Sequence, residues 1–286
     1  MPLYRSSSEP SEPLVAPAIV AAFDGWIDAA GASTVAATAI SSGGDRIVTF
    51  GPDVLYDYRS RRPILDIVDG RPTALVWPEL AITRRRLDER DVLVLTGAEP
   101  DFRWQELGGD VLELCVRLGV VEWVSLGAIP AAVPHTRSVP ILATASRAGL
   151  LAEDEQQGPE GLLRVPAACL STIEIAVAQG GIPTVGFYAQ VPHYVQGPYA
   201  AATIALLDHT GRHLGVDVPT ASLTEDALGQ RERLDAAVAA DDDSRAYVAR
   251  LERMTGEEQR LPSGDELASE IERFLRGEGG PSRERE

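Results

Sequence analysis

The feature that most constrains this chain is an apolar run that halts at turn residues and gives way at once to a helix pattern, because it recurs. Residues 17–23, PAIVAAF, end at Asp24-Gly25-Trp26, and an alanine-rich helix pattern occupies 29–41 up to Gly43-Gly44. Residues 91–100, DVLVLTGAEP, repeat the arrangement. A helix pattern follows over 103–118, with Trp104, Leu107, Val111, Leu114, Cys115 and Leu118 on one side. Short, unbroken apolar runs suit strands buried on both faces. Further strand patterns at 46–50, 121–130, 138–146 and 182–194, with helix patterns near 170–179 and 198–213, complete the alternation. It predicts an α/β fold, a mostly parallel central sheet covered by helices on both sides. Residues 64–77, ILDIVDGRPTALVW, depart from it and predict a hairpin around Asp69-Gly70 with a slightly longer loop. The arginine-rich stretch 56–62 before it reads as polar and exposed.

From residue 217 onward the chain turns strongly charged and shows no strand pattern. We therefore expect a lead-in over 1–13, polar and disordered, an α/β core over 14–216, an acidic helical C-terminal subdomain over 217–277 and a disordered tail over 278–286. Residues 262–275, PSGDELASEIERFL, carry a capping-box pattern at Ser263 and Glu266 and an apolar face of Leu267, Ile271, Phe274 and Leu275. The acidic runs Asp241-Asp242-Asp243 and Glu257-Glu258 read as solvated helix ends, since a calcium loop needs an alternating ligand pattern.

Composition removes several function classes. Across 286 residues the formal net charge is −17, so no basic surplus is available to neutralise the phosphates of a nucleic acid. All 26 basic residues are arginine. Walker-type, Schiff-base and general-base lysine chemistry is therefore closed to the chain. Cys115 and Cys169 lie far apart in apolar segments, outside any C-x-x-C pair, and read as buried structural thiols. No apolar stretch is long enough to span a bilayer and no signal-peptide pattern opens the chain, which points to the cytoplasm.

The turn at Asp24-Gly25-Trp26 invites comparison with a dinucleotide-binding loop. The next glycine is Gly31, so the G-x-G-x-x-G pattern fails, and Asp24 and Asp28 put negative charge where a phosphate needs positive potential. Asp28 fits better as a cap for the helix that follows. Similar turns close the other strands at 96–100, 127–130 and 191–194. In an open parallel sheet these ends gather along one edge, where ligand crevices form. That edge supplies the candidate acid–base or anion-binding residues Asp24, Glu99, His135, Arg137 and His193, with Trp26, Thr96 and Tyr194 as binding surface. The same turns also serve simply to end strands, and lone histidines are commonly structural. His209 and His213 have the i, i+4 spacing of a metal pair but lack the H-E-x-x-H glutamate, so they read as a solvated face or as helix-dipole partners. No metal site and no cofactor is expected, and no G-x-S-x-G elbow is present.

Four segments, FDGWIDAAGAS (23–33), LTGAEPDFRW (95–104), LGAIPAAVPHTR (126–137) and VPHYVQGPYAAA (191–202), resemble the proteasome assembly chaperone 2 family in its actinobacterial branch. The resemblance runs from about Val15 to Gly215. It implies a three-layer α/β/α sandwich similar to nucleoside phosphorylases, with oligomerisation common, and relatives that chaperone proteasome α subunits. ATP-grasp ligase chemistry, which usually holds nucleotide phosphates with lysines, does not suit a lysine-free chain. The sequence ends Arg283-Glu284-Arg285-Glu286, without the hydrophobic-tyrosine-any-residue tail that docks some relatives onto proteasome rings. Two functions follow as expectations. One is a non-enzymatic, homo-oligomeric (dimer or trimer), chaperone-like scaffold for proteasome subunits or another protein client, with neither nucleic acid nor membrane as partner. The other is a small-molecule enzyme or ligand sensor, hydrolase- or phosphorylase-like, with its site at the strand ends.

Overall fold

The computed structural model describes residues 2–6, 13–158 and 161–258. In chain order it contains β1 (Tyr4–Ser6), β2 (Ala18–Asp24), a 3-10 turn (Ala29–Gly31), α1 (Ala32–Ser41), β3 (Asp45–Phe50), α2 (Pro52–Leu55), β4 (Ile64–Val68), β5 (Arg71–Val76), β6 (Leu80–Leu87) and β7 (Arg90–Ala98). There follow α3 (Trp104–Arg117), β8 (Glu122–Ala131), β9 (Ile141–Ala145), α4 (Cys169–Gln179), β10 (Thr184–Pro192), α5 (Ala200–Leu214), α6 (Ala221–Ala239) and α7 (Asp242–Glu258). The chain divides into two compact units, Met1–Asp235 and Ala236–Glu286. The helix expected at 262–275 and the tail at 278–286 lie outside the described residues.

An eight-stranded sheet, in the order β1-β3-β6-β7-β2-β8-β10-β9, forms the middle of the first unit. Strands β7, β2, β8 and β10 run parallel at its centre, and β3 shares their direction. The other strands run against them, β1 and β9 at the two edges and β6 between β3 and β7. The unbroken apolar character of β2 has a direct cause. Ala18, Val20 and Ala22 join the core on the face covered by α1 and α5, whereas Ile19, Ala21 and Phe23 join the core on the face covered by α3 and α4. The result is a three-layer α/β/α sandwich. Gly108 lets α3 approach α4 closely, because a Cβ there would meet the Ala176 methyl at 3.2 Å.

Three local expectations need correction, and one further strand lies where the sequence shows no strand pattern. Residues 80–87 form a strand although Arg84-Arg85-Arg86 interrupts the apolar pattern; each arginine instead finds a fixed acceptor. Arg84 and Arg86 pair with Asp91 at 2.8 and 3.1 Å, and Arg85 donates to the Ala39 and Ile40 carbonyls at the end of α1. In the lead-in, expected to be disordered, Tyr4–Ser6 adds an antiparallel edge strand, and Leu3 and Tyr4 are buried. Tyr56, in the stretch read as exposed, is buried, and its hydroxyl donates to the Ala98 carbonyl at 2.8 Å. Finally, the β4–β5 hairpin turns on two residues rather than a longer loop. Asp69 (φ 51°) and Gly70 (φ 74°) supply the two positive φ values of a type I′ turn.

Buried carboxylates are held by arginine forks. Asp91, fully buried at the start of β7, also accepts the Val15 N–H at 2.7 Å. Burial pushes its pKa up, but that hydrogen bond and the two guanidinium groups outweigh it, and the carboxyl stays below its usual range. Glu122 behaves alike: burial raises its pKa, and His213 and Arg90 together bring it below normal. His209 and His213 are thus not a solvated face. His213 Nε2 lies 3.0 Å from Glu122 and His209 Nδ1 2.9 Å from the Ala205 carbonyl, and both rings pack edge-on against Phe187.

In the second unit α7 starts with a side-chain cap, the Ser244 N–H donating to Asp241 Oδ2 at 2.8 Å. Asp242 and Asp243 occupy its first turn, where the helix dipole favours negative charge. No helix among the described residues is long and apolar enough to cross a membrane.

Candidate functional site at the strand ends

The turn after β2 is organised by Asp28 and Glu99. Asp28 Oδ1 accepts the Ser33 N–H at 2.8 Å and the Thr34 N–H at 3.3 Å, and Asp28 Oδ2 accepts the Thr34 hydroxyl at 2.5 Å. Donors that a phosphate would need are therefore already taken by the chain's own carboxylate. Glu99, just past β7, is likewise occupied at both oxygens. Oε2 accepts the Trp26 N–H at 2.9 Å and Oε1 the Cys169 N–H at 2.7 Å, at the first residue of α4. A Cβ at Gly25 would overlap the Glu99 carboxylate, so the glycine leaves room for this bridge. The turn is a clamp joining the end of β2, the end of β7 and the start of α4.

Asp24 is the exposed member of the group. Its carboxylate receives Arg61 Nη1 at 2.6 Å, while Arg61 Nη2 donates to the Asp24 carbonyl at 2.8 Å. Around them Ser60, Arg61, Arg62, Glu99, Asp101 and Trp104 line a cavity of about 560 Å³. The Trp26 side chain is 66% exposed and Phe102 is 50% exposed, on the turns that leave the neighbouring strands β2 and β7. Thr96 sits farther back within β7, half-buried, opposite Ala22 and Ala81.

His135, Tyr194 and His193 form a second group beyond β8 and β10. The His135 ring is shielded from solvent and engaged at both nitrogens. Its backbone N–H donates to the Tyr194 oxygen at 2.8 Å, and Nδ1 lies 2.7 Å from the same oxygen. Nδ1 and the backbone N–H of His135 thus both face the Tyr194 oxygen, and Nε2 lies 3.2 Å from Asp235 Oδ1. Arg231 grips Asp235 and donates to the His135 carbonyl at 3.0 Å. His193 is exposed, with Nδ1 3.1 Å from the Ala131 carbonyl. Arg137 is exposed on the rim of a cavity of about 790 Å³ that His135 and Arg231 also line, with Val139, Ile204 and Ala205. The candidates thus divide between a clamp at the β2 and β7 ends and a histidine-centred latch at the β8 and β10 ends.

A third polar group was not legible in the sequence. Trp123 Nε1 donates to Ser125 Oγ at 2.8 Å, and that hydroxyl donates to Glu174 Oε2 at 2.6 Å. The Tyr188 and Thr144 side chains stand beside this group. Burial pushes the Glu174 carboxyl above its usual range, only partly offset by the Ser125 and Tyr188 hydrogen bonds, and burial raises Tyr188 too. The signal lies in pairing: the β8–β10 register sets Tyr188 opposite Gly127, where its ring fills the space of a missing side chain. Burial also pushes the Cys115 thiol up to about 12 and raises Cys169 further, so neither supplies a ready thiolate. Among the described residues no group of three or more histidine, cysteine, aspartate or glutamate side chains could hold a metal.

Comparison with known proteins bears on this geometry. The model of the PAC2 family matches residues 22–238. A Corynebacterium glutamicum protein of unknown function superposes with a TM-score of 0.84 at 28% identity, over 90% of this chain and 98% of that one. A Mycobacterium tuberculosis proteasome-assembly chaperone homologue gives 0.74 at 35% identity, over 81% and 99%. PbaB of Pyrococcus furiosus, an archaeal proteasome activator, shares the fold with a TM-score of 0.64 at 15% identity, over 82% and 97%. No curated protein matches the chain.

Proposed function

Because the chain belongs to the PAC2 family, we propose that it is a homo-oligomeric, chaperone-like scaffold, acting in the cytoplasm, that binds a protein client at the strand-end edge and converts no substrate. The observation that carries this reading is the division of labour at that edge. Glu99, the carboxylate best placed for acid–base work, spends both oxygens on backbone N–H groups, whereas Trp26 and Phe102 beside it face solvent. Exposed aromatics next to a rigid clamp suit a binding surface. Proteasome subunits or their assembly intermediates are the favoured clients, supported by the chaperone homologue among the chain's relatives.

Native mass spectrometry of tagged protein, purified gently from its own cells, tests the proposal. The expected result is a co-purifying protein in fixed ratio that is lost in Trp26→Ala/Phe102→Ala without loss of thermal stability. A client retained by that double variant would move the surface elsewhere.

The second reading, a hydrolase- or phosphorylase-like enzyme or ligand sensor, draws support from the cavity beside Arg61, Arg62 and Asp101. It requires a stoichiometric small molecule in the same spectra, lost on Arg62→Ala. Finding one would displace the scaffold reading.

A further inference from the structure

The cavity of about 790 Å³ beside Arg137 lies along α5, where half-buried Ala201, Ile204 and Ala205 line it, and α6 supplies Ala227 and Arg231. Small residues on both helices leave the space open, and α6 itself buries no residue. The walls are nevertheless pinned. Gln230 accepts the Ala200 N–H at 2.9 Å and donates to the Pro198 carbonyl at 2.6 Å, and Arg231 donates to the His135 carbonyl at 3.0 Å. The space is thus built into the first unit, and its volume falls within the range of roughly 300–1,000 Å³ of ligand pockets. Its rim carries charges of both signs. Among the described residues, the exposed side chains of Arg137, Asp208 and Asp217 make no hydrogen bond or ion pair. Arg231 is already paired with Asp235, and Arg212 stands 3.4 Å from Asp154.

We propose that this cavity binds a short free peptide of aliphatic residues, with its carboxylate at Arg137 and its ammonium at Asp217. Charge selects that class. A simple anion would meet Asp208 and Asp217, and a simple cation would meet Arg137, whereas a ligand with both charges finds a partner for each. The lining selects the body, since Val139, Ile204, Val216 and Val218 are aliphatic. The fold sets the direction. The bonds from Gln230 to Ala200 and from Arg231 to His135 bring Arg137 towards the start of α5, and Asp217 follows its last turn. At that last turn the helix dipole favours a cation. Length sets the size. From Ala201 to Arg212 the helix rises roughly 16 Å, the reach of about five extended residues, so a peptide of about four spans the cavity with both ends free.

Isothermal titration calorimetry of the full chain tests the site, using the tetrapeptide Ala-Val-Leu-Ala with free ends, N-acetylated, C-amidated and blocked at both ends. The free peptide should bind once per chain. Acetylation and amidation should each weaken binding roughly tenfold, the lower end of the range for a charge-assisted hydrogen bond. Arg137→Ala should remove the effect of amidation, and Asp217→Asn the effect of acetylation. Both side chains are exposed and make no internal bond, so neither variant should lose thermal stability. Ala205→Leu, which adds bulk to the cavity wall, should weaken all four peptides. A doubly blocked peptide that binds as tightly as the free one overturns the proposal and makes an internal segment of a longer chain the occupant. End effects that persist in both variants place the peptide elsewhere and overturn it too, as does the absence of saturable binding. Client binding through Trp26 and Phe102 does not depend on this site.

Discussion

At the residue scale, the decisive arrangement is one carboxylate serving two backbone donors across three elements. Replacing Glu99 by Ala leaves the Trp26 and Cys169 N–H groups without their acceptor. The expected loss is about 1–3 kcal/mol, less for Glu99→Gln, which keeps one acceptor oxygen. Gly25→Ala collides with the same carboxylate and should also destabilise. In a Glu99→Ala background the clash with the carboxylate is gone and only the Cβ contact at 2.6 Å remains. A double-mutant cycle in urea should therefore show coupling between the two sites, and strict additivity would mean that Glu99 is not clamped as described.

At the element scale, helix ends in this protein are closed by side chains reaching in from other segments. Arg85 serves α1, Arg90 donates to the Leu214 carbonyl at the end of α5, and Asp28 closes the start of α1. A planar guanidinium with five donors can serve a carbonyl and a carboxylate together, as Arg90 does for Leu214 and Glu122. An arginine-only composition is well matched to that duty. Asp28→Ala should lower global stability by about 1–2 kcal/mol, and hydrogen exchange should quicken first at the amides of 33 and 34. Unchanged exchange there would remove Asp28 from its capping role.

At the scale of the whole molecule, pH separates two kinds of buried acid. The folded pKa values of Asp91 and Glu122 are depressed. Their contribution to stability is present above the ordinary carboxylate range and is lost as pH falls through the folded values. Glu174 is shifted the other way: its contribution is present below its unfolded pKa and is lost as pH rises through the raised folded value. The urea midpoint of Glu174→Gln should therefore decline less than that of the wild type as pH rises from about 4.5 towards neutrality. Asp91→Asn should blunt the acid-side loss and lower neutral stability by about 2–3 kcal/mol. Parallel profiles for Glu174→Gln and the wild type would mean that this carboxyl does not titrate abnormally in the folded protein.

The sequence by itself determined the α/β alternation, the strands at β2, β7, β8 and β10, the helices α3, α4 and α5, and the capping role of Asp28. Each rests on local information: apolar period, turn residues, or a side chain within reach of its own helix. It also brings the turns after these strands to one edge, because parallel strands end on the same side. Only the tertiary structure decided that Glu99 is a clamp, that Arg61 covers Asp24 and that His135 is buried between Tyr194 and Asp235. Those partners lie 37 to 100 residues away. Strand β6 is not legible in the sequence for the same reason. Its arginines look like a solvated run until Asp91 and the end of α1 are brought beside them, and a buried charge is tolerable only where the fold supplies its partner.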